Sequence, residues 1–354
     1  MKIIDRYIAI AVIGGTVLVA FFLLALSGFI SFVGQLDDIG KGTYSLGDVV
    51  TFVLFSMPEQ VYQLFPMSVL LGSLLGLGML ANNNELMVMR TAGLSIFRLG
   101  RSALLGGVTL ALFCFLLGDY LVPPAESFAK SLKTSAVYQR VSLFGRRGIW
   151  ARDGDLFVNV RQMTETGKLE GIYFFELDKE GRLVRTANAA QAVLEEDGWR
   201  LLGLEQTNLQ ERSTATVVED NARWQTMLNP QLLQLFVVEP ETLSTGGLLD
   251  YIDYLERNEL NSEQYEMAFW IKVVTPFSVL VMVILALPFV FGPLRSVGTG
   301  QRIMVGILIG VVFYLVNRTL IHSGMVFGLN SMIVAWLPTT VLAALSFLGI
   351  RRIN

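Results

Sequence analysis

His322 is the only histidine and Cys114 the only cysteine in 354 residues. A histidine-based triad, a two-histidine metal site, histidine phosphotransfer and a cysteine metal cluster are therefore unsupported, and no internal disulfide can form. Nucleotide chemistry has no cradle either. Gly40-Lys41-Gly42 has the wrong spacing and the wrong successor for a phosphate loop, and no G-x-S-x-G elbow is present. Acidic residues are abundant, but no pattern singles out a general acid and base. Catalysis by this chain alone is not expected, so any energised activity has to enter through a partner or an ion gradient.

The segment Asn82–Gly93 is the most informative polar stretch. Its asparagines can cap a short helix, Glu85 suits the positive N-terminal end, and Gly93 can end it. Leu86, Met89 and Gly93 fall on one face that can enter a groove in a cytosolic protein, with Arg90 beside them. A capped linker lying on the membrane surface satisfies the same pattern.

These residues have to be positioned by a mostly apolar chain. It is 53% hydrophobic and 16% charged, with a mean hydropathy of +0.55; an ordinary soluble domain carries about 25% charged residues. Of 27 basic and 30 acidic residues, 15 and 22 lie between Glu126 and Glu263. A polar, acidic domain is thus set inside a membrane protein, and its acidity argues against nucleic acid as a partner. No charge occurs from Tyr7 to Leu36, which is too long an apolar run for a signal peptide and reads as an uncleaved transmembrane helix.

At about 20 apolar residues per crossing, six spans fit. They are expected at Ile8–Val33, Pro58–Leu80, Ser102–Val122, Met267–Phe291, Ile303–Leu320 and Leu329–Ile350. Leu46–Met57 is expected as a separate interfacial lead-in, and Pro123-Pro124 as the stop of the third span. Lys2, Arg6, Arg90, Arg98, Arg101, Arg295, Arg302, Arg351 and Arg352 flank the spans on one side. The other side holds Lys41 against Asp37, Asp38 and Asp48. Both termini are therefore expected in the cytoplasm and the large domain outside.

The outer domain reads as β. Leu156, Val158 and Val160 alternate with Phe157, Asn159 and Arg161, as do Tyr173 and Phe175 with Phe174 and Glu176. Asp153-Gly154, Asp178–Gly181 and Asp197-Gly198 supply turns at strand spacing. An antiparallel sandwich or jelly roll is expected within Arg147–Val237, its inward set being Leu156, Val158, Val160, Tyr173 and Phe175. Leu243–Leu260 then turns helical and leads back to the membrane. The domains are thus 1–122, with three spans and a coupling helix near 82–93; 123–265, a β-jellyroll domain with a C-terminal connecting helix; and 266–354, with three further spans.

The run Gly72–Gly93, GSLLGLGMLANNNELMVMRTAG, resembles the coupling segment of the YjgP/YjgQ (LptF/LptG) permease family that exports lipopolysaccharide. Ile4-Asp5-Arg6-Tyr7-Ile8, Leu64-Phe65-Pro66-Met67 and Phe291-Gly292-Pro293-Leu294-Arg295-Ser296 extend the likeness toward the LptG branch, in the same order along the chain. The resemblance implies a six-helix inner-membrane permease with an inserted periplasmic jelly roll. It implies pairing with an LptF-like permease, two copies of an LptB-like ATPase, and hand-over of lipid to an LptC-like periplasmic protein. ATP and magnesium would then be held by the ATPase, with no cofactor in this chain. Glu85 matches the family's coupling acid.

A multi-acyl, phosphorylated lipid calls for apolar walls and cations near the outer interface. Phe22, Phe29, Phe65, Phe313 and Tyr314 are the candidate walls, and Lys41, Lys130, Lys133, Lys272 and Arg318 the candidate cations. Lys130, Lys133 and Lys272 match basic positions of LptG-like relatives. Ser31, Asp37 and Asp38 stand where enteric relatives carry lysines, which leaves Lys41 alone at the end of span one. Two other classes carry different expectations. An ion-coupled secondary transporter would be expected to carry acids inside several spans, whereas only Glu59 and Asp119 fall there. A membrane-anchored periplasmic scaffold needs fewer spans than six.

Overall fold

A computed structural model describes residues 3–138, 149–153, 156–163, 168–178, 181–195, 198–210, 213–224, 240, 243–258, 260–291 and 299–351. Lys2, Arg295, Arg352, the turn residues Gly154 and Asp197, and the motif from Gly292 to Ser296 lie outside the described residues.

The first helix, α1 (Ile3–Gln35), follows from the uncharged run. Its 33 residues extend about 50 Å at 1.5 Å per residue, more than the ~30 Å hydrocarbon core requires. Both ends therefore project past the apolar layer. A short 3-10 turn (Leu36–Asp38) leads to α2 (Leu46–Asn82), which is one unbroken helix through Pro58 and Pro66. The expected lead-in and span are thus a single element. The reason lies at Ser45, whose Oγ accepts from the Asp48 N–H while Asp48 Oδ2 accepts from the Ser45 N–H at 2.8 Å. This capping box starts the helix at Leu46, and Val49 and Val53 then bury against Tyr44, Phe32, Phe52 and Leu132.

α1 and α2 pack with their backbones in contact. A Cβ on Gly72 would run into the Thr16 backbone, and one on Gly76 into the carbonyl of Ala11. Only glycine permits this approach, which gives the Gly72–Gly78 stretch its physical reason.

A seven-residue helix, α3 (Glu85–Thr91), precedes α4 (Ile96–Leu116). The third span does not stop at Pro123-Pro124. A π turn at Leu117–Leu121 carries it into α5 (Val122–Tyr138). In the wide turn the Val122 N–H reaches back to the Leu117 carbonyl, and Pro123 has no N–H to offer the next carbonyl, that of Gly118. Both prolines are then accommodated in the first turn of α5.

Strands β1 (Ile149–Asp153), β2 (Leu156–Met163), β3 (Leu169–Leu177), β4 (Leu183–Glu195), β5 (Gly198–Gln210) and β6 (Ser213–Trp224) follow. They form one antiparallel sheet in the order 1-2-3-4-5-6. One face buries Val158, Val160, Ile172, Phe174, Ala189, Trp199 and Leu201. Helix α6 (Thr245–Arg257) covers it with Tyr251, Tyr254 and Leu255. The expected inward set needs correction here. Val158 pairs with Phe174 and Val160 with Ile172, so cross-strand neighbours put Tyr173 and Phe175 on the opposite face. There Arg161 lies over the Tyr173 ring at 4.9 Å and Trp150 stacks on Phe175 at 5.5 Å. β3 is apolar on both faces, and alternation alone cannot fix which set turns inward.

Three spans close the chain: α7 (Glu263–Phe291), α8 (Thr299–Phe327) and α9 (Ser331–Arg351). Among the described residues, six helices are long and apolar enough to cross a membrane. The protein is thus a helical membrane protein with an antiparallel β domain between its third and fourth spans. The core of the helical part is built from α1, α2, α4 and α7 around Leu70, Leu74, Leu99, Cys114 and Met282. α8 sits at the margin and leaves Met304, Leu308, Val312 and Leu315 exposed.

Candidate functional site

Two clusters, one at each end of the helical module, collect the candidate residues. At the end holding the N-terminus, Asn84 adopts a left-handed conformation with φ of 59° and Gly93 one of 89°. These two positions bracket α3. The asparagines do not cap by side chain, because Asn84 makes no capping hydrogen bond; the left-handed backbone at Asn84 turns the chain instead. Asn83 Nδ2 donates to Glu85 Oε1 at 3.2 Å, and Tyr7 Oη donates to Glu85 Oε2 at 2.6 Å. Glu85 is therefore fixed against the first turns of α1. Asp5, in the same turns, accepts from Arg98 at 3.2 Å and from Ser102 Oγ at 2.7 Å, which ties α1 to α4 just beyond the coupling segment.

The outward face of α3 differs from the expected one. Leu86 is 3% exposed and Met89 packs against the same core, whereas Met87 and Val88 are 42% and 65% exposed and Arg90 points to solvent. A seven-residue helix held at both ends by long spans buries its apolar stripe in the bundle, which leaves Met87 and Val88 on the outward face.

At the other end, the 3-10 turn, the start of α2 and α5 bring three of the five expected cations together. Asp38 accepts from Lys41 at 2.6 Å and from Lys133 at 2.8 Å. Lys133 also donates to Gln35 Oε1 at 2.7 Å and lies over the Phe52 ring at 5.5 Å. Lys130 Nζ stands 3.4 Å from Glu126 Oε1. Each cation thus has an acidic neighbour. Tyr44 is enclosed beside this cluster, and burial, helped by the Asp38 and Asp48 carboxylates, pushes its hydroxyl above the ordinary value.

Lys272 and Arg318 stand apart. Lys272, on α7, is 6% exposed and its Nζ donates to the Gly118 carbonyl at 2.7 Å. It supplies the donor that Pro123 lacks, so in this conformation its ammonium is committed to the π turn. Asp119, next in that turn, accepts from the Thr245 N–H at 2.6 Å and holds the start of α6. The sequence shows Asp119 only as an acid within a span, because no local pattern links it to a residue 126 positions away. Arg318 Nη1 donates to Tyr314 Oη at 2.9 Å on exposed α8.

Among the candidate walls, Phe22 and Phe29 are outward on α1 at 67% and 66% exposure. Phe313 is half-buried against the bundle core. Phe65 belongs to that core, 4% exposed and with its ring 5.6 Å from that of Phe113. Its place as a wall is corrected accordingly: the glycine-packed middle of α2 turns it inward. Among the described residues no group of three or more His, Cys, Asp or Glu side chains is arranged to hold a metal ion.

Among the described residues, this arrangement gathers charged and polar side chains at the two ends of the helical module. The sequence profile described as "Lipopolysaccharide export system permease LptF/LptG" matches residues 6–352. The chain is similar to the lipopolysaccharide export system permease protein LptG of Haemophilus influenzae, with 35% identity over 338 residues, 95% of this chain and 94% of that protein. It is similar to the LptG protein of Escherichia coli K12 at 34% identity over 340 residues, again 95% and 94%.

Proposed function

The chain belongs to the LptF/LptG family of lipopolysaccharide export system permeases, and from that premise we propose how its two clusters divide the work. It is a multi-pass inner-membrane permease subunit of lipopolysaccharide export. The observation that carries this is the match over residues 6–352, which covers both sets of spans and the β domain together.

The subunit takes the LptG place beside an LptF-like paralogue, with an LptB-like ATPase dimer below and an LptC-like protein above. ATP and magnesium are bound by the ATPase, and this chain does no catalysis. The termini and α3 face the cytoplasm and the β domain faces the periplasm, a reading supported by Arg90, Arg98, Arg101 and Arg351 on one side. Motion of the ATPase enters at Glu85 and the outward face of α3. Held by Tyr7 and Asn83, Glu85 is a fixed carboxylate, able to pair with a basic side chain without first losing its own rotamer freedom.

At the outer mouth Lys41, Lys130 and Lys133 meet lipid phosphates by charge-assisted hydrogen bonds, while Phe22 and Phe29 offer apolar surface to acyl chains or to the paralogue. An edge of the antiparallel sheet is the place for a strand-adding periplasmic partner. Affinity purification of the chain in mild detergent tests the assembly: co-purification with an LptF-like protein and an ATPase is expected, and a chain that purifies alone in active membranes overturns it. Photo-crosslinking to lipopolysaccharide from positions 41, 130 and 133 tests the mouth. No crosslink from any of them, with unimpaired export after neutralisation, refutes that assignment.

A further inference from the structure

We propose that Asp119 is a positioning residue that latches the β domain to the third span, so that the sheet moves with the spans during lipid hand-over. The inference rests on the permease reading above.

Helix α6 is the member through which the two parts meet. One side of it lies in the sheet core with Tyr251, Tyr254 and Leu255. Its start faces the spans, where Leu243 and Leu248 are buried with Ala268 of α7. Ser244, extended at φ −66° and ψ 159°, caps the helix by accepting from the Gly247 N–H at 3.1 Å. The Thr245 N–H is a first-turn donor with no acceptor inside its own helix. Asp119 Oδ1 takes it at 2.6 Å. A carboxylate in this place also faces the positive end of the helix dipole. The third span and the helix that covers the sheet are thus joined by a charge-assisted hydrogen bond.

The turn that presents Asp119 is itself held by two other spans. Gly118, one residue earlier, gives its carbonyl to Lys272 of α7 at 2.7 Å. A Cβ on Gly118 would run into the Tyr62 ring of α2, so only glycine lets the turn lie there. Asp119 therefore projects from a point fixed against the second and fourth spans. When these spans shift, α6 and the sheet packed on it either follow or the Asp119–Thr245 bond breaks. The apolar contacts of Leu243 and Leu248 are non-directional and leave α6 free to slide; the bond fixes its position. Hydrogen bonds to charged groups shift such an equilibrium by about ten- to a hundredfold, which favours movement as one body.

Two single changes break the bond from opposite sides. Asp119→Ala removes the acceptor. Thr245→Pro removes the donor at the first helical position, where proline is favoured, and the extended Ser244 before it already suits proline. Asp119→Asn keeps an acceptor oxygen. The full complex in nanodiscs is spin-labelled through Thr134→Cys on α5 and Asp250→Cys on α6, both exposed positions, with Cys114 buried and unlabelled. One narrow distance is expected for the otherwise wild-type protein and for Asp119→Asn, with and without ATP. A broad distribution is expected for Asp119→Ala and Thr245→Pro. Lipid release per ATP in proteoliposomes should fall severalfold in both and be largely retained by Asp119→Asn. The double variant should be no worse than either single one, because both remove the same bond. Where one variant fails to assemble, the other decides. An unchanged distance distribution, or a broadened one with unimpaired release, overturns the latch and leaves the permease reading intact. A wild-type complex that hydrolyses ATP without releasing lipid overturns both.

Discussion

Replacing Lys272 by methionine tests the π turn most directly. The substitution keeps the length and apolar stem of the side chain and removes its donor. The Gly118 carbonyl then has no partner, because the Val122 N–H goes to Leu117 and position 123 is proline. An unpaired buried acceptor costs about 1–3 kcal/mol. Methionine also relieves the enclosed ammonium of its desolvation, which offsets part of that cost and puts the expected net loss at about 1–2 kcal/mol.

The same geometry predicts a specific rescue. Pro123→Ala restores an N–H five residues after Gly118, in line with the Leu117–Val122 bond. The double variant Lys272→Met with Pro123→Ala should therefore recover most of the lost stability. Contacting residues typically show coupling of about 0.5–3 kcal/mol in a double-mutant cycle. Melting of the four proteins in detergent, read by tryptophan fluorescence, gives that energy. If the single effects simply add, Lys272 is not the surrogate donor, and its burial needs another explanation.

Glu85→Lys should leave the protein folded and inserted but lower lipid release per ATP in proteoliposomes of the full complex. Unchanged rate and stoichiometry would reduce Glu85 to a brace for Tyr7. Val88→Lys, on the outward face of α3, should weaken co-purification of the ATPase while changing stability by no more than about 0.5 kcal/mol. Leu86→Lys, which points into the core, should instead destabilise the fold; the reverse ranking in pull-down and melting assays would restore the originally expected docking face. Gly72→Leu should separate α1 from α2, at a cost of about 1–3 kcal/mol or more, and lower the yield of monodisperse protein; a well-folded variant would show that the two backbones need not touch.

The spans and the inserted β domain were legible because membrane solvent imposes a coarse rule. Uncharged runs such as Tyr7–Leu36 cannot be soluble surface, and the charge concentrated between Glu126 and Glu263 cannot lie in hydrocarbon. Element ends were less legible because two local signals competed. Pro58 suggests a helix start, but the Ser45–Asp48 capping box lies upstream and prevails. Pro123-Pro124 suggests a stop, but a proline penalty is local and can be met from elsewhere, here by Lys272 across 154 positions. Periodicity showed which residues of α3 share a face without showing which face the bundle would claim, and Leu86 and Met87 differ by a single step on that helix. The candidate cations were recognisable as residue types, but their state depends on acidic partners. Asp38 divides itself between Lys41 and Lys133, and Glu126 holds Lys130. A sequence reveals that such charges exist, whereas only their three-dimensional pairing shows which carboxylate each of them faces.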